Sequence, residues 1–337
     1  MKAVGLFKYL PSSHPESLID LELPTPCPQE HDLLVRVEAV SVNPVDTKVR
    51  SPKPQVEAEP RILGWDAVGV VERIGAKVGL FKPGDSVYYA GDITRPGCNS
   101  RYHVVDERLA ALQPRTLDFA QAAALPLVSI TAYEALYERL GVDPEGRSTG
   151  RTLLIIGGAG GVGSMAIQLA RRAGLTVVAT ASRPESTEWV RRLGAHHVVD
   201  HRRALRPQLE AIGMQSVDLI ANFADTDAYW EAMADLVAPQ GKICTIVDHS
   251  GHLDHGLLKM KSITHAWEFM FTRAKYRTPD MIEQHHILRR IAAWVDDGSV
   301  AGILHDRLAP ICAVTLRAAH AKLESGTMIG KLVVEGW

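Results

Sequence analysis

Gly158, Gly160 and Gly163 stand in the spacing G-x-G-x-x-G within GGAGGVGS, residues 157–164. The branched apolar run Thr152 to Ile156 precedes them and reads as a buried parallel strand. Met165 to Ala173 follows with helical spacing, Gly174 ends that helix, and Leu175 to Thr180 reads as the next strand. Strand, tight turn, helix and strand within about 30 residues is the context in which such glycines hold a dinucleotide. In that reading Gly158 allows the sharp turn, and Gly160 with Gly161 lets backbone approach a pyrophosphate. Gly163 lets the helix sit close on the strand. The free N–H groups at the helix start, around Gly161, Val162 and Gly163, then face the anion.

The tip of the second strand tells which dinucleotide to expect. An acidic residue there, roughly 20 residues after the glycines, would hold a free ribose 2′-OH. The segment runs Ala179-Thr180-Ala181-Ser182-Arg183, with no acid at the tip. Ser182 can hydrogen-bond a 2′-phosphate and Arg183 can pair with it through a charge-assisted fork, which favours NADPH. Glu185 is the nearest acid.

The elements that must position these residues fall into contrasting stretches. At 337 residues, two domains are the default. Residues 1 to about 123 read as β-rich, with strands over Leu33–Val40, Ala67–Ile74 and Tyr102–Val105, and within Val78–Tyr89 a turn at Pro83-Gly84-Asp85 that feeds another strand. That pattern suggests a small, partly open barrel. Leu117–Ala124 and the amphipathic Thr131–Leu140 read as helices, and Asp143–Gly150 as a loop. Strands at His197–Val199, Val217–Ala221 and Lys242–Val247 then alternate with helices around Leu205–Ile212 and Tyr229–Val237, the rhythm of a doubly wound parallel sheet. A helix over Met281–Asp297 and a closing strand over Gly330–Val334 break that rhythm and should return to the first domain. The expected division is 1–123 with 273–337, and 124–272.

Lysine plus arginine count 37 against 39 acidic residues, a formal charge of −2, which gives no reason to expect nucleic acid or a membrane surface as partner. No apolar run reaches the ~18 residues of a membrane span. The opening MKAVGLFKYL is too short and polar for a secretory signal. Cys27, Cys98, Cys244 and Cys312 lie too far apart for a disulfide framework, and a cytoplasmic location fits.

This order of parts resembles the medium-chain dehydrogenase/reductase superfamily. Within it the chain is most similar to the quinone oxidoreductase branch and its zinc-type alcohol dehydrogenase-like group. SVNPVDTKVR (41–50), GWDAVGVV (64–71), FKPGDSVYY (81–89), AAALPLVSITAYEAL (122–136), GGAGGVGS (157–164) and IGKLVVE (329–335) carry the resemblance. It implies an α/β chain with a GroES-like barrel domain and a Rossmann domain. It implies hydride transfer, usually from NADPH, to a quinone or an activated carbon–carbon double bond, and a homodimer. It also implies cofactor contacts from Thr131, from Asn222 and Phe223, from Val247, and from His201, which is otherwise an ordinary surface histidine.

Zinc-using relatives place a cysteine at Asn43 and a His-Glu pair at Trp65-Asp66. Asn43 and Trp65 cannot ligate zinc, and Asp66 alone is not a site. Only Cys98 lies where a structural zinc would need four cysteines. The 14 histidines, His196-His197, His201 and His285-His286 among them, show no ligand spacing. No metal is expected. Hydride delivery to a conjugated alkene leaves charge on the carbonyl oxygen and calls for a donor and a proton. Asn43, held by Pro44, can be the donor. Several relatives carry a tyrosine where Lys48 stands, which leaves the proton donor open. Lys48 is either an electrostatic stabiliser of the enolate or a solvated loop lysine. Asp46, the third catalytic candidate, either fixes the loop by hydrogen bonding or transfers a proton. Trp65 either walls the substrate pocket or packs the core, and Trp267, Phe269 and Phe271 close the pocket, make the dimer contact or pack inside. The reading is a zinc-independent NADPH-dependent quinone or enone reductase. Its rivals are a zinc-free alcohol dehydrogenase or ketone reductase, and a non-enzymatic NADPH-binding sensor or interaction protein that retains the fold.

Overall fold

Leu153, Leu154, Ile155 and Ile156 are all fully buried, so strand Thr152–Ile156 is covered on both faces. A strand in that position needs parallel neighbours and helices above and below. It has Thr176–Thr180 on one side and Val217–Asn222 on the other, both parallel. The six-stranded sheet runs His197–Val199, Thr176–Thr180, Thr152–Ile156, Val217–Asn222, Val237–Thr245, Thr264–Trp267. In order of appearance this is 3-2-1-4-5-6, the doubly wound order whose binding crevice opens at the carboxyl ends of the first and fourth strands. Leu154, Ile156, Val178 and Ile220 meet Leu209, Trp230 and Met233 from helices Leu205–Ala211 and Thr226–Leu236 in one core. Each such side chain contributes about 1.5–3 kcal/mol through burial.

The computed structural model describes residues 1–146 and 148–337 and forms two units, Thr131–Met270 and Met1–Ile130 with Phe271–Trp337. The loop expected over 143–150 includes Arg147, which lies outside the described residues. Helix Thr226–Leu236 starts earlier than its apolar spacing suggests, because the Asp225 carboxylate caps it by accepting the Ala228 N–H at 3.0 Å. The helix expected over 131–140 is instead the end of Pro126–Tyr133 followed by a π-helical stretch, Glu134–Arg139. Residues 119–139 match a membrane span in length and apolarity, but 83 % of that window is buried inside the protein.

The other unit is built on the ten-residue strand Asp32–Ser41. It pairs antiparallel with Ala67–Ile74, with Tyr102–Asp106 and with the late strand Lys331–Glu335, where Val333 faces Ser41. Leu304–Leu308 then adds parallel to Lys331–Glu335. A separate three-stranded sheet joins Ile19–Glu22, Lys2–Tyr9 and Lys53–Ile62. Lys53–Ile62 carries two prolines and is mostly exposed, so nothing in its pattern announces a strand; as an edge strand it tolerates both.

A Cβ on Gly163 would fall 2.2 Å from the Gly157 carbonyl oxygen, whereas one on Gly160 would meet nothing closer than 3.6 Å. Gly163→Ala should therefore lose about 1–3 kcal/mol in urea unfolding, with weaker dinucleotide binding. Gly160→Ala should stay within about 0.5 kcal/mol of wild type. Equal stabilities of the two variants would contradict this packing.

Candidate functional site

The turn after Thr152–Ile156 reverses at Gly157, whose φ of +85° lies in the left-handed region. The sharp turn assigned to Gly158 thus belongs one residue earlier. Gly158 serves the close approach of Thr176–Thr180, since a Cβ there would meet the Ala179 Cβ at 2.9 Å. The Gly157 N–H donates to Thr180 Oγ1 at 3.0 Å, which ties the turn to the second strand. Helix Gly161–Arg172 begins after Gly160 with no side-chain cap, so the N–H groups of Gly161, Val162 and Gly163 have no capping side chain. Ser164 Oγ donates back to the Gly160 carbonyl at 2.7 Å and accepts Trp189 Nε1 at 2.8 Å, which anchors the first turn from behind.

At the end of the fourth strand Asn222 is fully buried. Its Oδ1 accepts the Ala224 N–H at 3.1 Å, while its Nδ2 is buried without a hydrogen-bond partner. The Phe223 N–H donates to Ile156 at 3.0 Å, and Phe223 backbone lies beside Gly157. The Val247 carbonyl accepts Thr226 Oγ1 at 2.6 Å. Thr131 is buried at the start of this unit. A cradle closed to a Cβ at Gly158 and Gly163, an uncapped helix start and an orphaned amide donor fit a dinucleotide.

Beyond Thr176–Thr180, Ser182 and Arg183 are half-buried, and the Ser182 carbonyl accepts a guanidinium N–H of Arg202. Arg202 also holds Asp200 through Nε at 3.3 Å. His201 is driven below its ordinary value by burial, with Arg202 and Arg183 adding to the fall and Asp200 opposing it. Arg183, His201 and Arg202 therefore share one electrostatic neighbourhood. Arg202 was not singled out from the sequence; its adjacency to His201 was the available signal.

The second constellation lies in the barrel unit. Asn43 caps the short helix Pro44–Arg50: its N–H donates to Asp46 Oδ2 at 2.6 Å, and its carbonyl accepts the Asp46 N–H at 2.9 Å. Its carboxamide Nδ2 donates to Asp66 Oδ2 at 3.1 Å and to the Ser41 carbonyl at 3.3 Å. Its Oδ1 accepts Lys331 Nζ, which also donates to Val42 at 2.9 Å and pairs with Asp66 Oδ2 at 3.1 Å. Asp66 Oδ1 accepts the Leu127 N–H at 3.1 Å, and Cys98 Sγ approaches the Asp66 carbonyl at 3.7 Å. Asn43, Asp46, Asp66, Cys98 and Lys331 are all buried. With both amide hydrogens engaged, Asn43 is a hub of this cluster and has no donor left for an oxyanion, contrary to the role expected for it. Lys48 is exposed on the same helix. Lys331 was missed because a single lysine in IGKLVVE reads as the outward residue of a strand.

Trp65 is 2 % exposed, donates Nε1 to the Asp92 carbonyl at 3.2 Å, and meets Phe271 edge-to-face at 6.3 Å. Trp267 belongs to the other unit, is 44 % exposed, and stacks on His249. Zinc does not fit this chemistry. Among the described residues no three His, Cys, Asp or Glu side chains are grouped to hold a metal. Both Asp66 oxygens are engaged, and an ammonium already lies against them.

Burial lifts the Asp46 carboxyl from 3.8 to about 7, against the Asn43 N–H and the Lys331 ammonium, with the Asp66 charge adding to the rise. A raised folded-state value means that the fold favours the protonated carboxyl. That contribution is fully present below pH 3.8 and is lost as pH rises through about 7. Relative to wild type, Asp46→Asn should gain on the order of 2–4 kcal/mol of unfolding free energy between pH 4 and pH 8. A difference that stays flat across that range in denaturant titrations would show Asp46 ionised throughout.

Comparison with known proteins agrees with both units. The family model described as an alcohol dehydrogenase GroES-like domain matches residues 29–114, and the one described as a zinc-binding dehydrogenase matches 193–334. A zinc-type alcohol dehydrogenase-like protein of Staphylococcus epidermidis is 42 % identical over 99 % of both chains. A 2-methylene-furan-3-one reductase of Solanum lycopersicum is 30 % identical over 91 % of this chain and 72 % of its own. The solved structure of a putative zinc-dependent alcohol dehydrogenase protein from Rhizobium etli CFN 42 is 49 % identical, superimposes with a TM-score of 0.95, and covers 100 % of this chain and 98 % of that one. With its GroES-like barrel, its Rossmann sheet and its dinucleotide turn, the chain belongs to the medium-chain dehydrogenase/reductase superfamily of oxidoreductases.

Proposed function

We propose that this protein is a zinc-independent, NADPH-dependent reductase of quinones or α,β-unsaturated carbonyl compounds. The observation that carries the reading is the Lys331 ammonium paired with Asp66 and Asn43, the positions at which metal-using relatives place ligands. Without a metal, nothing in this cluster polarises an alcohol oxygen strongly enough to form alkoxide at neutral pH. A conjugated acceptor needs less help, because conjugation spreads the incoming charge. The relative named for reducing a 2-methylene-furan-3-one, itself an enone, supports that class.

When bound, the reduced nicotinamide supplies the hydride. The glycine turn holds the pyrophosphate on the N–H groups of Gly161 to Gly163. Ser182, Arg183 and Arg202, with His201 beside them, hold the 2′-phosphate through charge-assisted hydrogen bonds. Asn222 offers its buried Nδ2 to the cofactor, and Thr131, Phe223 and Val247 bound its site. Trp65 and Phe271, each 2 % exposed and packed edge-to-face, support the segment that carries Asp66. The proton comes from solvent or through exposed Lys48. A homodimer joined along the edge strand Thr264–Trp267 completes the reading, supported by Trp267 and Phe269, each 44 % exposed.

Arg183→Ala should weaken NADPH binding by about 1.5–3 kcal/mol with little effect on NADH. Fluorescence titration with both cofactors tests this, and equal wild-type affinities for the two would refute the preference.

The purified protein should contain far less than one zinc per chain by elemental analysis. It should oxidise NADPH with ortho- or para-quinones or enones, keep that activity in a strong chelator, and barely oxidise primary alcohols. Stoichiometric zinc lost together with activity would overturn the metal-free reading. Efficient metal-free alcohol oxidation with no quinone or enone turnover would point to an alcohol dehydrogenase instead.

A further inference from the structure

The three ammonium hydrogens of Lys331 have three acceptors: the Val42 carbonyl, Asn43 Oδ1 and Asp66 Oδ2. The lysine is 3 % exposed, so none of these contacts is shared with solvent. A carboxamide presents nearly the same shape after a half-turn, and only its neighbours decide which end is oxygen. Here the ammonium fixes the oxygen end, because an amide N–H facing it would meet a cation. The nitrogen end must then face Ser41 and Asp66, as it does at 3.3 and 3.1 Å. Asn43 in turn caps the helix that carries Lys48, and Asp66 follows Trp65.

We propose that Lys331 is a positioning residue: its ammonium is the resident cation of this cluster and locks the orientation of Asn43, and with it the start of helix Pro44–Arg50. No other role is needed to explain a fully coordinated lysine inside a strand of apolar residues. The consequence for turnover rests on the reductase reading above; the consequence for Asn43 does not.

The test compares Asp66→Asn with the double variant Lys331→Met/Asp66→Asn. Lys331→Met alone would strand a buried carboxylate and can fail to fold; Asp66→Asn leaves the ammonium with the neighbouring Asp46 carboxylate to balance it, and the double variant removes both members of the pair. The first readout is hydrogen exchange of the Asn43 side-chain amide by NMR on selectively labelled asparagine. Asp66→Asn keeps the Lys331–Asn43 contact and the Ser41 acceptor, and should keep the part of the amide protection that they give. The double variant should lose at least about tenfold of that protection. Equal protection in the two variants overturns the proposal.

The second readout is kinetic. The double variant should lose kcat by at least about tenfold relative to Asp66→Asn, with the NADPH dissociation constant unchanged. Equal kcat values overturn the positioning role. A wild-type protein inactive on every quinone and enone defeats the proposed reaction instead, and the amide-exchange comparison then decides the role of Lys331 by itself.

Discussion

Placing one ammonium and two carboxyl groups out of water is the constraint to which the barrel unit answers. Each isolated ion would cost several kcal/mol on burial, and mutual attraction offsets that only when the geometry is good and the remaining donors and acceptors are filled. Burial pushes Asp66 up and Lys331 down, and the charge of each pulls the other back. Asp46 completes the balance, since a carboxyl titrating near 7 holds a proton for much of the time at neutral pH. The arrangement tolerates little movement. A one-residue slip of Lys331–Glu335 along Asp32–Ser41 would turn Lys331 to the opposite face and leave Asp66 uncompensated.

The two units solve their binding problems by opposite means. The dinucleotide turn works through what is missing: side chains at Gly158 and Gly163 that would collide with backbone and strand. The barrel cluster works through what is present and fully coordinated. Empty space is filled by a ligand, while a filled polar cluster holds its surroundings rigid. That division suits an enzyme in which one unit captures a large flexible cofactor and the other must keep a few groups still.

The sequence was most legible where a periodicity or a spacing maps directly onto backbone geometry. The run Thr152–Ile156, the glycines after it and the alternation up to residue 245 led to the parallel sheet because each reflects local sterics and burial. The turn was misassigned by one residue, since the motif does not say which glycine takes positive φ. The strands Lys53–Ile62 and Lys2–Tyr9 escaped because their pairing is long-range and their faces are mixed. In the cluster, Asn43, Asp46 and Asp66 were visible as polar residues in a recognisable segment, but their partner was not. Contacts with Lys331 are set by tertiary register, which no local pattern records.

The distance in chain between those partners has a temporal side. Lys331 lies 288 residues after Asn43. At typical rates of synthesis, on the order of ten residues per second, the two aspartates emerge tens of seconds before their counter-ion exists. The nucleotide-binding unit is continuous in sequence and is complete by Met270. The usual order of maturation on the ribosome is therefore inverted. The amino-terminal segment must wait, partly assembled and with its central strand lacking a neighbour, while a domain encoded after it finishes first. Until Lys331–Glu335 arrives, the edge of Asp32–Ser41 that it covers has unpaired backbone groups open to pairing with another chain.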